Sequence, residues 1–493
     1  MKRMASALIC LIFLVAALPV MAGGQGEDGA AAEAVELVWY VPGGSGFPYG
    51  PDDEKEVYAQ LNNMIQRDLG FSVDIRATGG FGEYRETMPL AMAAGEDFDL
   101  VWTSSWCNNF MDAASDGYYA GLDELLPEYA PTIWKDTRDA LESTRMNGEI
   151  RGVWSQQIAA KTSNVFLRES MIEKYGWDLD SIKEVEDLEP LLTQIKREDP
   201  DLIPLSMRKP LPEWMIYDLG YGDLGVLVDL LAIRLDDKSC QVFSLIEDPG
   251  YKNKIELARD WYAKGFIPKD GLTYNMDQWN QMVNAGKVGM KLHNTWIPGK
   301  DRVTTAFDDT WVQIPFDGPS VMQGGNIVST LNAVSARSEH QVEAVRLLEY
   351  LWTNEEAFNL LAWGIEGTHY NLKGDFIEPL QDGGYYANIP WVFGNTFISY
   401  LREGENPEAN EMIYKLNQDA VKSPLMGFSL DMDSIKTLVA TVSSVHEQYY
   451  KAVCGGYVGD DVYEEYVAAL KQAGIDELIE GIQDQIDSWT ASK

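Results

Sequence analysis

The sequence predicts an α/β fold built around a parallel sheet with crossover helices. Strand patterns and helix patterns alternate from residue 35 to residue 106, which is the order that a parallel sheet requires. The first strand pattern, VELVWYV, is almost continuously apolar, as in strands that are buried on both faces. The helix patterns between the strands end at glycines, which suit left-handed helix ends. Ligands of such sheets bind beyond the carboxyl ends of the strands.

The elements follow in order along the chain. Strands are predicted at 35–41, 71–77 and 99–105, with helices at 51–70 and around 88–94 between them. Residues 147–176 read as a hairpin, a strand and a helix, and the chain is predicted to cross there into a second domain richer in helix. A long amphipathic helix is predicted over 342–363, with Gly364 as its left-handed stop, and a last helix over 475–489 docks through an isoleucine-rich face.

The N-terminus is typical of an exported protein. Residues 1–22 have a basic start, a short apolar run and a small residue before the cleavage point, so they are interpreted as a signal peptide. Residues 23–34 form a flexible polar spacer, and Cys10 is poorly placed for a lipoprotein signal. The predicted location is periplasmic or otherwise exported. Cys107, Cys240 and Cys454 would remain, which allows at most one disulfide.

Charge and motifs exclude several classes of function. The formal net charge is −38, with 39 basic against 77 acidic residues, which argues against nucleic-acid binding. No G-x-S-x-G, H-E-x-x-H or P-loop pattern occurs, and the four histidines are scattered. No catalytic residue, metal site or cofactor is predicted, and the protein is interpreted as a non-enzyme. A glycoside hydrolase stays a lesser alternative, because 77 acidic residues make a close carboxylate pair inevitable.

Loop aromatics are the positive signal. The chain has 15 tryptophans and 24 tyrosines, and several tryptophans fall in predicted loops. A flat ring covers the apolar face of a sugar, while amides, carboxylates and hydroxyls bond its polar rim. This composition favours a carbohydrate ligand.

Four segments together resemble the solute-binding proteins of ABC importers, in the group that includes maltose-binding protein. They are LAMAAGEDFDLVWTSSW (90–106), the crossing NGEIRGVW with NVFLRESMIEKYGWD, NAGKVGMKLHNTW (284–296), and a tail from GFSLDMDS to IDSW. The segment GIEGTHY and the tail are similar to a longer subgroup of about 500 residues. The similarity runs over essentially the whole mature chain.

The resemblance implies a two-lobed, type II periplasmic-binding-protein fold that closes about a hinge on its ligand. It implies lobe 1 at 35–150 with return segments from about 300–350, lobe 2 at 151–300 with return segments from about 350–430, and a C-terminal helical module at 425–493. It also implies a monomer that delivers a carbohydrate, often an oligosaccharide, to the permease subunits of an ABC importer.

The candidate ligand-binding residues combine the resemblance with the loop positions. They are Ser104, Ser105, Trp106, Trp154, Lys161, Trp214, Tyr217, Trp279, His293, Trp296, Glu366, His369 and Tyr370. Glu366 and His369 either bond sugar hydroxyls or hold the shape of their loop, and Trp363 is expected in the core. The alternative ligand is a non-sugar solute such as a peptide or an acidic small molecule. Lys161, Arg168 or Arg208 in the cleft would favour an acidic sugar.

Overall fold

The computed structural model describes residues 35–44, 49–225, 227–304, 310–374, 376–380, 384–432 and 434–492. The predicted signal peptide, the spacer and residues 45–48 of the first-strand loop lie outside the described residues.

The first sheet has five strands and follows the predicted alternation. Glu36–Pro42 pairs in parallel with both Ser72–Thr78 and Leu100–Thr103. Two later strands, Leu331–Val334 and Val153–Trp154, complete the sheet in antiparallel pairing. The central strands are buried on both faces, as their apolar runs predict.

The second sheet also has five strands, and its two faces differ in chemistry. Its order is Arg302–Thr304, Thr310–Pro315, Asn164–Arg168, Val288–His293, Ile203–Ser206. Alternate side chains of a strand point to opposite faces. Val165, Leu167, Met290 and Leu292 therefore face one hydrophobic core, while Asn164, Phe166, Lys291 and His293 share the opposite face.

A third core lies under the C-terminal helices. Lys436–Cys454, Asp460–Gln472 and Ile475–Ala491 pack against the three-stranded sheet that contains Leu231–Arg234. The face that buries Ile475, Leu478, Ile482 and Ile486 is the predicted isoleucine-rich one.

The remaining elements complete the chain. Helices are Pro51–Leu69, Phe81–Ala94, Phe110–Ser115, Leu125–Tyr129, Pro131–Leu141, Glu169–Tyr175, Glu189–Glu198, Leu211–Trp214, Pro249–Lys264, Met276–Asn284, Gly324–Ile327, Gln341–Thr353, Glu355–Trp363, Pro390–Phe393 and Ala409–Asp419. Short strands are Arg145–Met146 with Glu149–Ile150, Tyr221–Gly222, Phe243–Ser244, Val321–Met322 with Val421–Lys422, and Tyr370–Lys373 with Phe376–Pro379 and Leu401–Arg402.

Two sequence-based expectations differ from the structure. The helix predicted over 342–363 is two helices, because the side chain of Asn354 accepts a hydrogen bond from the Ala357 backbone N–H and starts a second helix there. Gly364 has φ 88° and ψ −149°, so it is not the predicted left-handed stop. Several described hydrophobic residues between Leu351 and Phe393 pack into the first core.

Cys107, Cys240 and Cys454 are buried, and no disulfide joins any two of these three described cysteines. No helix in the described ranges is both long and apolar enough to cross a membrane. The described histidines, cysteines and carboxylates form no cluster with the make-up of a metal site.

Candidate functional site: an aromatic patch and a basic patch beside the crossover

An aromatic patch lies at the carboxyl edge of the first sheet. It consists of Phe81, Trp102, Trp106 and Trp391. Phe81 begins the helix after the second strand, and Trp106 follows the third strand. Phe81 stacks on Trp391 with centroids 5.2 Å apart, and Trp106 lies 5.3 Å from Phe81. The Trp106 side chain is 42% exposed, which is unusual for a ring with three aromatic neighbours.

Hydrogen bonds fix the orientation of this patch. The Trp106 indole N–H donates to the Ser329 carbonyl oxygen at 2.9 Å. The Trp102 indole donates to the Thr330 hydroxyl at 3.0 Å, and that hydroxyl donates to the Trp391 carbonyl oxygen at 2.9 Å. The patch is therefore preorganised, so binding a ring on it costs little side-chain entropy.

The predicted serines shape this turn in different ways. The Ser104 hydroxyl is buried and accepts from the Cys107 backbone N–H at 2.8 Å, so it holds the turn that presents Trp106. Ser105 is exposed beside Trp106, and its backbone N–H donates to the Val328 carbonyl oxygen.

A basic patch lies at the corresponding edge of the second sheet. It consists of Lys161, Phe166, Arg208, Trp214, Lys291 and His293. The rings form its centre: Trp214 stacks on His293 at 5.6 Å, and Phe166 meets the same imidazole edge-on at 5.8 Å. Arg208 lies over the Trp214 ring at 5.4 Å, and Lys291 lies over Phe166 at 4.6 Å.

Burial and mutual repulsion perturb the titration of this patch. Burial lowers the pKa of Lys161 to about 8. Burial, together with Arg208 and Arg168, lowers the pKa of Lys291 to about 8. Burial and the surrounding cations hold the pKa of His293 well below its usual range, so this imidazole is neutral at physiological pH.

Several buried polar atoms around the basic patch have no hydrogen-bond partner among the described residues. They include the indole nitrogens of Trp214 and Trp296 and the amide oxygen of Asn164. An unpaired buried polar group is costly, so such atoms point to a ligand or solvent that satisfies them.

The crossover segment 321–331 contacts both patches. Val321 pairs with Lys161, with backbone bonds of 2.8 and 2.9 Å. The Asn326 amide donates to the Tyr217 hydroxyl at 3.3 Å on the second-sheet side, while Ser329 binds the Trp106 indole on the first-sheet side. The two patches thus adjoin the same connection between the sheets.

The structure brings only some predicted residues together. Trp106 belongs to the aromatic patch, and Lys161, Trp214 and His293 belong to the basic patch. Trp296 lies in the adjoining loop, half-buried. Tyr217 lies at the crossover and is 6% exposed.

Other predicted residues lie in cores, and their role as ligand contacts stays a prediction; Trp214 of the basic patch, at 2% exposed, is buried to a similar extent. Trp279 is 1% exposed in the second core and Tyr370 is 6% exposed in the first, so neither ring has a free face. Trp154 is 5% exposed within the first sheet, where it pairs with Leu331. Trp363 is 3% exposed, so its predicted place in the core is confirmed.

The loop 365–370 is held from inside. His369 is 1% exposed, and its Nδ1 accepts from the Ile365 backbone N–H at 2.8 Å. Its Nε2 lies 3.7 Å from a carboxylate oxygen of Asp53. The imidazole therefore shapes the loop, whereas Glu366 is exposed and stays a predicted ligand contact.

The predicted ligand contacts do not include Phe81, Phe166, Lys291 or Trp391, and the sequence singles out Arg208 only as a cation that would favour an acidic sugar. One signal was available: Lys291 is the charged residue in the otherwise apolar strand pattern VGMKL. Phe81 and Trp391 are 310 positions apart in the numbering, and only the folded chain stacks them.

Two surface concavities do not coincide with the patches. One of about 540 Å³ is lined by Lys135, Gln156, Phe397 and Tyr414 among others, and one of about 550 Å³ lies beside Arg234. Neither shares a residue with the aromatic or the basic patch, so ring geometry and charge locate the candidate site better than volume does.

Known proteins resemble this chain over most of its length. A carbohydrate ABC transporter substrate-binding protein of Streptococcus pneumoniae serotype 4 is 25% identical over 455 residues, which is 90% of this chain and 89% of that protein. The N-glycan transport solute binding protein NgtS of Streptococcus pneumoniae has a similar structure, with a TM-score of 0.78, 23% identity and coverage of 92% of this chain and 98% of that one.

NgtS in complex with Man1GlcNAc also matches, with a TM-score of 0.73, 22% identity and coverage of 92% and 99% of the two chains. These structural matches confirm the predicted two-lobed, type II fold class. A model of a domain of unknown function matches residues 424–491, the C-terminal helices. The model of bacterial extracellular solute-binding proteins matches residues 52–358, which is more than half of the chain, and the chain belongs to that family.

Proposed function

We propose that this protein is the substrate-binding subunit of an ABC importer and that it captures an oligosaccharide between the aromatic and basic patches. The observation that carries the proposal is Trp106, a ring that is 42% exposed although hydrogen bonds and three aromatic neighbours fix it. A fixed, exposed aromatic face suits the apolar face of a sugar. The carbohydrate transporter protein of Streptococcus pneumoniae supports the ligand class.

The proposal includes export and delivery. The family's extracellular setting and the signal-like residues 1–22 support a protein that works outside the cytoplasm as a monomer with permease subunits as partners. Ligand closes the two lobes about the crossover and is released unchanged. Incubation of a bound oligosaccharide with the protein, followed by chromatography, should return the intact sugar; cleaved products would show a glycosidase instead.

Trp106→Ala is the direct test of the site. The variant should weaken oligosaccharide binding by about tenfold or more, which is about 1.4 kcal/mol, as measured by isothermal titration calorimetry. The melting temperature should fall less than for a fully buried tryptophan, because Trp106 is 42% exposed.

Leu90→Ala is the matched control, since Leu90 is 70% exposed and belongs to neither patch. It should leave both affinity and melting temperature unchanged. Equal affinities for Trp106→Ala and the wild type would place the binding site elsewhere. A broad panel in which no oligosaccharide binds would contradict the carbohydrate assignment.

A further inference from the structure

The basic patch is positively charged, although the chain as a whole is strongly negative. The protein has 77 acidic and 39 basic residues, so a random cluster of cations would have carboxylates nearby. Lys209, at the rim, does form an ion pair with Glu213. Among the described residues, however, no carboxylate lies within 4 Å of the side-chain nitrogens of Lys161, Arg208 or Lys291.

Strand register explains why these cations are neighbours. Lys291 pairs with Ser206 in the parallel strands, and Arg208 follows Ser206 by two positions, as His293 follows Lys291. Arg208 and His293 both lie against the Trp214 ring. The fold therefore places Arg208 and Lys291 along one edge of the sheet. Glu213 favours the charged form of Arg208, whereas no described carboxylate lies within 4 Å of the Lys291 ammonium.

The cost of this arrangement points to a ligand. Burying charges without counter-charges is unfavourable, and the lowered pKa of Lys291 reflects both its burial and the nearby arginines. The Lys161 ammonium donates to the Thr295 hydroxyl at 3.1 Å, which is a neutral partner. A neutral sugar would leave Lys161 and Lys291 without a counter-charge, whereas an anionic group would supply one.

We propose that the captured oligosaccharide is acidic and that Arg208 and Lys291 bind a carboxylate or sulfate group on one of its sugar units. The inference rests on the proposed function and narrows its ligand class. The planar guanidinium of Arg208 is held over Trp214, and it can donate two parallel hydrogen bonds to a carboxylate. Lys291 adds a compact charge beside Phe166.

Matched pairs of oligosaccharides test the proposal. Uronate oligosaccharides and sulfated oligosaccharides are titrated into the full protein beside the same molecules after carboxyl reduction or desulfation. At least one acidic member should bind about 100-fold more tightly than its neutral counterpart, since it replaces an uncompensated charge by an ion pair. Its affinity should fall as salt is raised, as expected for an electrostatic contact. The uronate and sulfate arms tell the two anionic groups apart.

Arg208→Gln is the diagnostic variant and Arg197→Gln is its control, since the Arg197 side chain is 68% exposed and pairs with its neighbour Glu198. Arg208→Gln should reduce the preference for the acidic over the neutral member by about tenfold or more, and Arg197→Gln should keep it. Lys291→Met should reduce the same preference, which provides a second variant if Arg208→Gln folds poorly.

The outcomes separate the two levels of the proposal. A neutral oligosaccharide bound as tightly as its acidic parent would overturn the acidic ligand and leave the carbohydrate function intact. A preference for the acid that survives both variants would also overturn the assignment to Arg208 and Lys291. If neither acidic nor neutral sugars bind, the proposed function itself fails.

Discussion

Trp106 and Trp279 are the same residue type and were both predicted as ligand contacts, yet they are 42% and 1% exposed. The sequence places each near a predicted loop, but exposure depends on which distant elements cover the ring. Trp279 is covered by the second core, whereas Trp106 stands on Phe81 and Trp391. Aromatic content could suggest a class of ligand, but only tertiary contacts show which rings are exposed.

The protonation of His369 should affect the stability of the protein. Burial lowers the pKa of its imidazole, although Asp53 opposes this shift. Since the unfolded chain then binds a proton more readily than the folded one, the contribution of His369 to stability is complete above its unfolded pKa and is lost as pH falls below about 6.5.

His369→Asn should therefore flatten the fall of the free energy of unfolding between about pH 7 and pH 5.5, by at most about 1.4 kcal/mol per pH unit. Urea titrations of both proteins across this range give the comparison. Oligosaccharide affinity at pH 7.5 should stay near the wild-type value, because His369 is buried inside its loop. A large loss of affinity without a change in the pH profile would make His369 a ligand contact.

Elements were largely predictable where local signals agree. The parallel strands of the first sheet, the hairpin around Asn147 and Gly148, and the last helix all follow hydrophobic period and turn residues. The prediction of one continuous helix over 342–363 was wrong. The apolar stripe runs on past Asn354, but the hydrogen bond from the Ala357 N–H to the Asn354 side chain starts a second helix. The basic patch depends on which residues pair across neighbouring strands. The hydrophobic pattern of a single sequence does not show that register, so the patch could not be predicted.

The N-cap at Asn354 should make a measurable contribution to the free energy of unfolding. Asn354→Ala should lower the free energy of unfolding by about 1 kcal/mol, because the Ala357 N–H loses its side-chain partner. Asn354→Asp keeps an acceptor there and should remain close to the wild type. Chemical denaturation of the three proteins measures the effect. Equal stability of the alanine and wild-type proteins would show that packing alone starts the helix Glu355–Trp363.

The second and third hydrophobic cores share a helix. The helix Pro249–Lys264 contributes Tyr251 and Ile255 to the third core, and Ala258 and Trp261 to the second. The helix Pro249–Lys264 therefore joins the core of the C-terminal helices to the core of the second sheet. The Tyr450 hydroxyl also donates to Glu213 at 2.5 Å, next to the basic patch. The predicted domain boundaries remain predictions, but these shared elements argue against an independently folding tail.

This sharing leads to a calorimetric prediction. Ile482→Ala should cost about 2–5 kcal/mol, as expected for a fully buried isoleucine. Because the cores share a helix, the transition that includes the second sheet should move to lower temperature as a unit. Ile479→Ala, at a partly buried position of the same helix, should cost less. A new separate transition for the C-terminal helices would show that they melt alone.

The buried thiol of Cys107 lies beneath the aromatic patch, so its rate of chemical modification can report motion of that patch. Its sulfur lies 3.3 Å from the carbonyl oxygen of Phe81, and burial raises its pKa to about 11. A disulfide reagent can then react only when the turn beneath Trp106 opens, so the rate of thiol modification reports that opening. A sugar bound on the rings above would slow the modification of the Cys107 thiol. The modification rate would therefore report the fraction of time for which the aromatic patch is occupied.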